Sequence, residues 1–327
     1  MHKRRLSQLH HNGFTLVELL VVIGIIALLT TLAVMAIAPS LENAKIAATK
    51  ATIAQINEVI QQRMDAIQQM DVSAEAKKLA TLNSINEKQA AAFLRTNLYR
   101  QALPQRLADL YGIDGSDGGN DDAPLRSILT LAPTDINQNQ SYQSSVILYL
   151  ALTQGSQLRA LPGGKSYRVP ILDADSINQK YVTQIAFNSS NPTATFSAFI
   201  DAWGEPLRFY NFPTRLIVDS AHVKSLIVGL PATINTDPMD PLGVLSGSPL
   251  TSGGNLIYAP PSSSLTARPF DIENYHDLNT YYIPLLVSAG PDQSLGLKEP
   301  TDSTSPNHLG VVESPADIYD NITNRQQ

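Results

Sequence analysis

The sequence contains no cysteine, and this absence excludes disulfide bonds, zinc sites built from thiolates and cysteine nucleophiles. Charged residues are also scarce: they make up 16% of the 327 residues, whereas about a quarter is usual in soluble globular proteins. The formal net charge of −6 argues against a nucleic-acid partner held by contacts to phosphates. The chain is long enough to bury a large core without disulfides. Their absence therefore does not exclude a location outside the cytoplasm.

Sequence patterns of common catalytic sites are missing as well. Neither H-E-x-x-H nor G-x-S-x-G occurs in the chain. Residues 163–166 (GGKS) end like a phosphate-binding loop, but Arg159 stands where that pattern requires its first glycine. Beyond the N-terminal segment the histidines are isolated, at His222, His276 and His308. With no catalytic constellation in view, we predict that the protein is not an enzyme.

One long uncharged run lies near the N-terminus. Residues 1–13 carry Lys3, Arg4 and Arg5 and no acidic residue, and residues 19–38 then contain no charge at all. A helix of that length measures about 30 Å, close to the hydrocarbon thickness of a bilayer. The run is longer than the apolar part of a secretory signal peptide and is followed by no small-residue cleavage site. It predicts a single membrane-spanning helix, and the basic cluster before it predicts a cytoplasmic N-terminus.

Glu18 interrupts the apolar segment that begins at Phe14, and a carboxylate at membrane depth usually has a functional partner. The residues around it, GFTLVELLVVI over positions 13–23, resemble the prepilin cleavage and methylation signature of type IV pilins and type II secretion pseudopilins. The resemblance implies that prepilin peptidase, a membrane aspartyl peptidase, cuts after Gly13 and methylates the new amino group of Phe14. It also implies that Glu18 pairs with the N-terminus of a neighbouring subunit and so sets the axial register of a filament.

Apolar residues continue beyond the predicted span at mostly three- and four-residue steps, from Ile46 to Met70. This spacing predicts one helix over residues 14–70, with an apolar stripe that packs against the rest of the chain. Pro39 within it is a candidate position for a kink. A second helix is predicted from an N-cap at Ser73 to about residue 103.

Composition changes after residue 160. Of the 18 glycine and 21 proline residues, 28 lie beyond this point. Short segments rich in β-branched and aromatic residues predict strands at 181–187, 207–212, 255–259 and 281–288. Pro284 within the last segment favours an edge strand or a bulge.

The predicted fold is α+β and pilin-like, with a long membrane-spanning N-terminal spine helix packed on a C-terminal antiparallel sheet and with a helical insert. Four segments are predicted along the chain. They are a cytoplasmic leader at 1–13, a transmembrane and spine helix at 14–70, a helical insert at 71–160 and a Pro/Gly-rich head at 161–327.

Three later segments resemble elements of major pseudopilins. They are DAWGEPLRFY at 201–210, LVSAGPD at 286–292 and DIYDNI at 317–322. The resemblance places a calcium loop in this region and makes Asp292, Asp317 and Asp320 its candidate ligands, since calcium takes about six to eight oxygens. The stretch between Asp292 and Asp317 is longer than the family's loop, so solvated loop acids remain the alternative. Major pseudopilins are also much shorter, and residues 71–195 have no counterpart in them that we can identify.

The resemblance implies a structural subunit of a type II secretion pseudopilus or a type IV pilus-like filament. Its partners are then prepilin peptidase, identical or related subunits and, indirectly, an inner-membrane assembly platform with its ATPase. The chain crosses the inner membrane once, with the C-terminal region in the periplasm or outside the cell. This role requires no cofactor, and calcium is the one candidate. Two alternatives stay open: a minor pilin for adhesion or DNA uptake, and an enzyme or ligand-binding domain tethered by a pilin-like anchor.

Overall fold

The computed structural model describes residues 15–111, 123–127, 129, 140–161, 163–186, 195–211, 239, 242, 244, 284–301 and 312–325, without the side chains at 33, 34, 36 and 38. Its helices are α1 (Leu16–Gln68), α2 (Ser73–Asn83), α3 (Glu87–Ala102) and α4 (Gln140–Gln154). Its strands are β1 (Gln157–Arg159), β2 (Ser166–Arg168), β3 (Val182–Ala186), β4 (Thr195–Phe199), β5 (Arg208–Tyr210), β6 (Leu285–Ser288) and β7 (Ile322–Thr323). The predicted combination of an N-terminal helix with antiparallel strands is confirmed.

Helix α1 has 53 residues and continues through Pro39. The chain forms two compact units, Met1–Lys45 and Ile46–Gln327, which we call the N-terminal unit and the C-terminal unit. In the N-terminal unit the large apolar side chains of α1 that the structure describes are exposed. Over the described residues, no helix meets the combined demands of length and apolarity for crossing a membrane. The membrane crossing therefore stays a prediction, as do the four predicted segment boundaries.

The second half of α1 supplies one side of the core of the C-terminal unit. Ile53, Ile56, Ile60 and Ile67 are each at most 1% exposed. They belong to one apolar cluster with α2, α3 and strand residues that include Phe199, Phe209, Leu286 and Ile322. Three- and four-residue steps place side chains on one face of a helix, and the predicted stripe is confirmed. Burying one such side chain stabilises the fold by roughly 1.5–3 kcal/mol.

The single helix predicted over residues 73–103 is wrong, because α2 and α3 divide this stretch. Ser84 ends α2 with a φ of 54°, in the left-handed region. The side chain of Asn86 then caps α3 by accepting from a backbone N–H two residues later at 2.8 Å. The N-cap predicted at Ser73 is also wrong: Ser73 is the first residue of α2, and its N–H and hydroxyl both donate to Asp71. Short polar side chains compete here for backbone groups, which apolar periodicity does not reveal.

The strands form three small antiparallel sheets rather than one. Strand β1 pairs with β2, β3 pairs with β4, and β6 lies between β5 and β7. The segments predicted at 181–187, 207–212 and 281–288 contain β3, β5 and β6, whereas 255–259 lies outside the described residues.

Pro284 does not make β6 an edge strand, contrary to the prediction. Strand β6 begins at the next residue, so the missing N–H of the proline interrupts no ladder bond. Its carbonyl accepts from Asn324 Nδ2 at 3.0 Å, just after β7. A proline at this position is therefore compatible with the central strand of the sheet.

Helices α3 and α4 cover strand edges with buried polar side chains. The Gln101 amide accepts from the Arg159 N–H (3.1 Å) and donates to the Arg159 carbonyl (2.9 Å) at β1. Ser144 of α4 accepts from the Phe209 N–H of β5 at 3.3 Å. These contacts satisfy backbone groups that an uncovered edge offers to other chains. The predicted insert is thus packed into the C-terminal unit.

Candidate functional site

The N-terminus of α1 is closed by reciprocal hydrogen bonds between Thr15 and Glu18. The Glu18 N–H donates to Thr15 Oγ1 at 3.2 Å, and the Thr15 N–H donates to Glu18 Oε2 at 2.9 Å. The Thr15 hydroxyl donates to the same carboxylate oxygen at 3.0 Å. The T-x-x-E spacing forms a capping box, in which the helix dipole also favours the carboxylate. The carboxylate predicted to act in assembly is therefore held at the start of α1 by its own chain.

From its first residue to Leu41, α1 exposes apolar side chains around its circumference. The exposed large ones are Leu16, Val17, Leu19, Leu20, Val21, Val22, Ile23, Ile25, Ile26, Leu28, Leu29, Leu32, Met35, Ile37 and Leu41. We call this set the apolar segment of α1. An exposed apolar surface of this extent marks an interaction with a membrane or with other chains. The predicted cleavage and methylation residues, Gly13 and Phe14, lie outside the described residues.

In the C-terminal unit, Asp201 joins two of the segments that resemble pseudopilin elements. It is 2% exposed, and its Oδ1 accepts from the N–H groups of Trp203 and Glu205, both at 2.9 Å. Its Oδ2 accepts from Ser288 Oγ, at the end of β6, at 2.7 Å. Burial raises the pKa of Asp201, although these hydrogen bonds favour the ionised carboxylate. Gly204, with a φ of 94°, supplies a turn conformation that other residues rarely adopt.

The third resembling segment contacts the turn that follows β6. Gly290 has a φ of 75°, and a Cβ there would collide with the carbonyl oxygen of Asp320, so the turn requires glycine. The N–H of Asp292 donates to Asp320 Oδ2 at 3.1 Å. Asn321 Nδ2 donates to the carbonyl of Leu295 at 2.8 Å. The three segments singled out in the sequence therefore meet where β6 ends and β7 begins.

Comparison with protein families finds the prokaryotic N-terminal methylation motif at residues 9–34. The match includes the predicted cleavage position, the capping box and much of the apolar segment. This is the type IV pilin and pseudopilin signature. The resemblance seen in the sequence is confirmed over these residues. No curated protein and no solved structure matches the chain.

The methylation motif is typical of proteins that prepilin peptidase processes and that are anchored in a membrane, and its family is structural rather than enzymatic. Within it, Glu18 makes a contact that we did not predict, although the T-x-x-E spacing is visible in the sequence. The pairing of Glu18 with a neighbouring subunit stays a prediction.

Of the three predicted calcium ligands, Asp292 contacts the carboxylate of Asp320 through its main-chain N–H, while its own Oδ1 accepts from the Ser294 N–H at 2.7 Å. Asp292 and Asp320 are joined by the hydrogen bond described above, and Asn321 Oδ1 is buried with no hydrogen-bond partner among the described residues. An unpaired oxygen of this kind suits a cation. Asp317 instead donates its N–H to the Ser314 carbonyl at 3.2 Å. In the described part of the chain, no three carboxylate or imidazole side chains form a group that could hold a metal ion. Calcium binding stays a prediction.

Arg63, for which the sequence predicted no role, has a fully buried side chain in the C-terminal unit. It lies three residues after Ile60 and four before Ile67, and so occupies a position in the apolar stripe of α1. A cation at such a position needs buried hydrogen-bond acceptors. That spacing is the signal in the sequence that points to this residue.

Proposed function

We propose that this chain is a structural subunit of a type II secretion pseudopilus or a type IV pilus-like filament. Prepilin peptidase removes residues 1–13 and methylates Phe14, and the mature subunits polymerise through the helix that follows. The methylation motif at residues 9–34 carries this proposal, and the exposed apolar segment of α1 supports it. Residues 19–38 anchor the subunit in the inner membrane before assembly, and the C-terminal unit lies in the periplasm or outside the cell.

Glu18 sets the register between subunits in this proposal. Cleavage leaves an ammonium group on Phe14, one residue before the capping box. In apolar surroundings an unpaired charge is costly, and pairing opposite charges recovers much of that free energy. The Phe14 ammonium of a neighbouring subunit pairs with Glu18 on assembly, and the capping box holds the carboxylate at the helix N-terminus until then.

The packing of the C-terminal unit favours a filament subunit over an enzyme domain on a pilin-like anchor. Helices α2 and α3 share one apolar cluster with the second half of α1 and with strand residues of the head. A tethered domain would have its own core and would meet α1 through a linker. The partners are then identical or related subunits, with the assembly platform and its ATPase acting indirectly.

Filament assembly by Glu18 variants tests the proposal. Glu18→Val should insert into the membrane at least as well as the unmodified chain, because a costly charge is removed, and it should be absent from sheared filament fractions. Glu18→Asp should be intermediate, since its carboxylate survives but is one methylene shorter. Glu58→Gln removes an exposed carboxylate from the same helix and should assemble normally. Normal filament yield from Glu18→Val, in cells without an unmodified copy, would overturn the proposal.

Thr15→Val separates the capping contact of Glu18 from the contact between subunits. It removes the capping hydroxyl at a cost of about 0.5–2 kcal/mol in helix stability, but it leaves the carboxylate available to a neighbour. Assembly should therefore fall only modestly, and Thr15→Ser should match the unmodified chain. A loss as complete as that in Glu18→Val would show that the carboxylate acts through the capping box alone.

A further inference from the structure

The guanidinium of Arg63 donates to the main chain of three separate segments. Its side chain is fully buried, and all its hydrogen-bond acceptors in the described residues are carbonyl oxygens. They are Pro170 (2.8 Å from Nε), Ala102 (2.7 Å from Nη1) and, around Nη2, Ala151 (2.6 Å), Gly155 (3.2 Å) and Leu152 (3.3 Å). One side chain of α1 therefore contacts segments that are far apart in the sequence.

Four of the five acceptors lie at the C-terminal ends of helices. Ala102 is the last residue of α3, Ala151 and Leu152 are in the last turn of α4, and Gly155 follows that helix. The last carbonyls of a helix have no partner within the helix and carry partial negative charge. Arg63 thus acts as a shared C-terminal cap for α3 and α4.

The site suits a guanidinium better than an ammonium group. Arginine presents five N–H donors in a planar fork, whereas lysine has one compact nitrogen. Burial lowers the pKa of Arg63 to about 9, so the group remains charged at neutral pH. The five carbonyl dipoles stabilise that charged form.

We propose that Arg63 is a coupling residue that makes the ends of α3 and α4 open together with the second half of α1. If any one of these elements moves away, the guanidinium loses its position and the carbonyls of Ala102, Gly155 and Pro170 lose their donor. The carbonyls of Ala151 and Leu152 also accept from the N–H groups of Gly155 and Leu172, so the first three carry the coupling. A buried acceptor without a donor is strongly unfavourable, so separate opening is suppressed and the three elements form one cooperative unit. This inference concerns the C-terminal unit and does not depend on filament assembly.

Native-state hydrogen exchange on the unmodified chain is the first test. Amides in the last turn of α3, in the last turn of α4 and around Arg63 should show one common dependence on denaturant, as expected for a single opening event. Amides of β3 provide the comparison, since that strand makes no hydrogen bond to Arg63. If hydrogen exchange at the two helix ends depends differently on denaturant concentration, the proposal is overturned.

Arg63→Lys and Ile60→Ala form a matched pair on the same face of α1. In Arg63→Lys, exchange at both helix ends should accelerate at least about tenfold more than exchange in β3, because one ammonium group cannot reach all three segments. Ile60→Ala should accelerate exchange evenly across the unit, because it weakens the core as a whole. If hydrogen exchange in Arg63→Lys accelerates evenly across the unit, or at one helix end only, the result would contradict the proposed coupling. If Arg63→Lys does not fold, the experiment on the unmodified chain still decides.

Discussion

The two halves of α1 use the same residue types in opposite ways. Between Leu16 and Leu41 the large apolar side chains that the structure describes are exposed, whereas between Ile53 and Ile67 they are buried. The difference lies in their spacing, because the first set is nearly consecutive and the second recurs every three or four residues. A consecutive run surrounds the helix, so one packed neighbour cannot cover it, whereas a stripe faces a single core. The spacing of the apolar residues, rather than their number or type, therefore determines which half of α1 packs in the core.

Gly13→Val should have the largest effect of these substitutions, because it blocks removal of the leader that precedes α1 and so acts before any assembly. A branched side chain crowds the peptidase cleft, so the leader should stay attached and filaments should be absent. Mass spectrometry of the unmodified chain should find an N-methylated Phe14. Gly24→Ala is the control, because a Cβ at Gly24 meets nothing within 4 Å, and it should be processed normally. A Met1 terminus on the unmodified chain, in cells with active peptidase, would contradict the prediction.

Alanine substitutions in the two halves of α1 should differ clearly in how far they lower the free energy of unfolding. Ile60→Ala leaves a cavity in the core and should lower the free energy of unfolding by about 2–5 kcal/mol. Ile26→Ala changes a side chain that is 54% exposed. It should alter the same quantity by no more than about 0.5 kcal/mol. Denaturant titration of both variants in detergent micelles measures the difference, and equal losses would show that both halves pack alike.

Calcium should stabilise the C-terminal unit without affecting the first half of α1. At about 100-fold excess over the dissociation constant, binding adds about 2.7 kcal/mol to the free energy of unfolding. The melting temperature of a chain shortened to residues 40–327 should therefore rise with millimolar calcium and fall with chelator. Asp320→Asn should abolish the shift, whereas the exposed Asp175→Asn should retain it. An identical melting temperature with calcium and with chelator would contradict calcium binding at this site.

The smallest effect is a pH dependence that originates at Asp201. Because its pKa is raised in the folded state, the folded chain binds this proton more tightly than the unfolded chain does. The stabilisation that this proton contributes to the folded state is fully present below the usual pKa range of aspartate. It is lost as the pH rises through the raised pKa of Asp201. Asp201→Asn should flatten this decline in melting temperature above about pH 4, and Asp175→Asn should not. The same slope in both variants would assign the pH dependence to other groups.

Local patterns predicted the features that depend on one segment, and missed those that depend on several. The apolar segment and stripe of α1 follow from spacing alone, and the methylation motif is a contiguous stretch. Strands β1, β2, β4 and β7, of two to five residues each, escaped prediction. Their pairing also depends on distant helices, as the contact of Gln101 with Arg159 illustrates. The role of Arg63 likewise depends on where α3 and α4 end.

The amide of Gln101 imitates a neighbouring strand, since it offers Arg159 both a donor and an acceptor. A second chain that approached this edge of β1 would have to displace a group that is already held in place. Subunits in a filament are surrounded by copies of themselves, and open sheet edges would then invite the exchange of strands. With this edge closed, copies of the head can be packed side by side without merging there. In the proposed filament each copy would thus keep its own β1, because the edge of this strand is already occupied by Gln101.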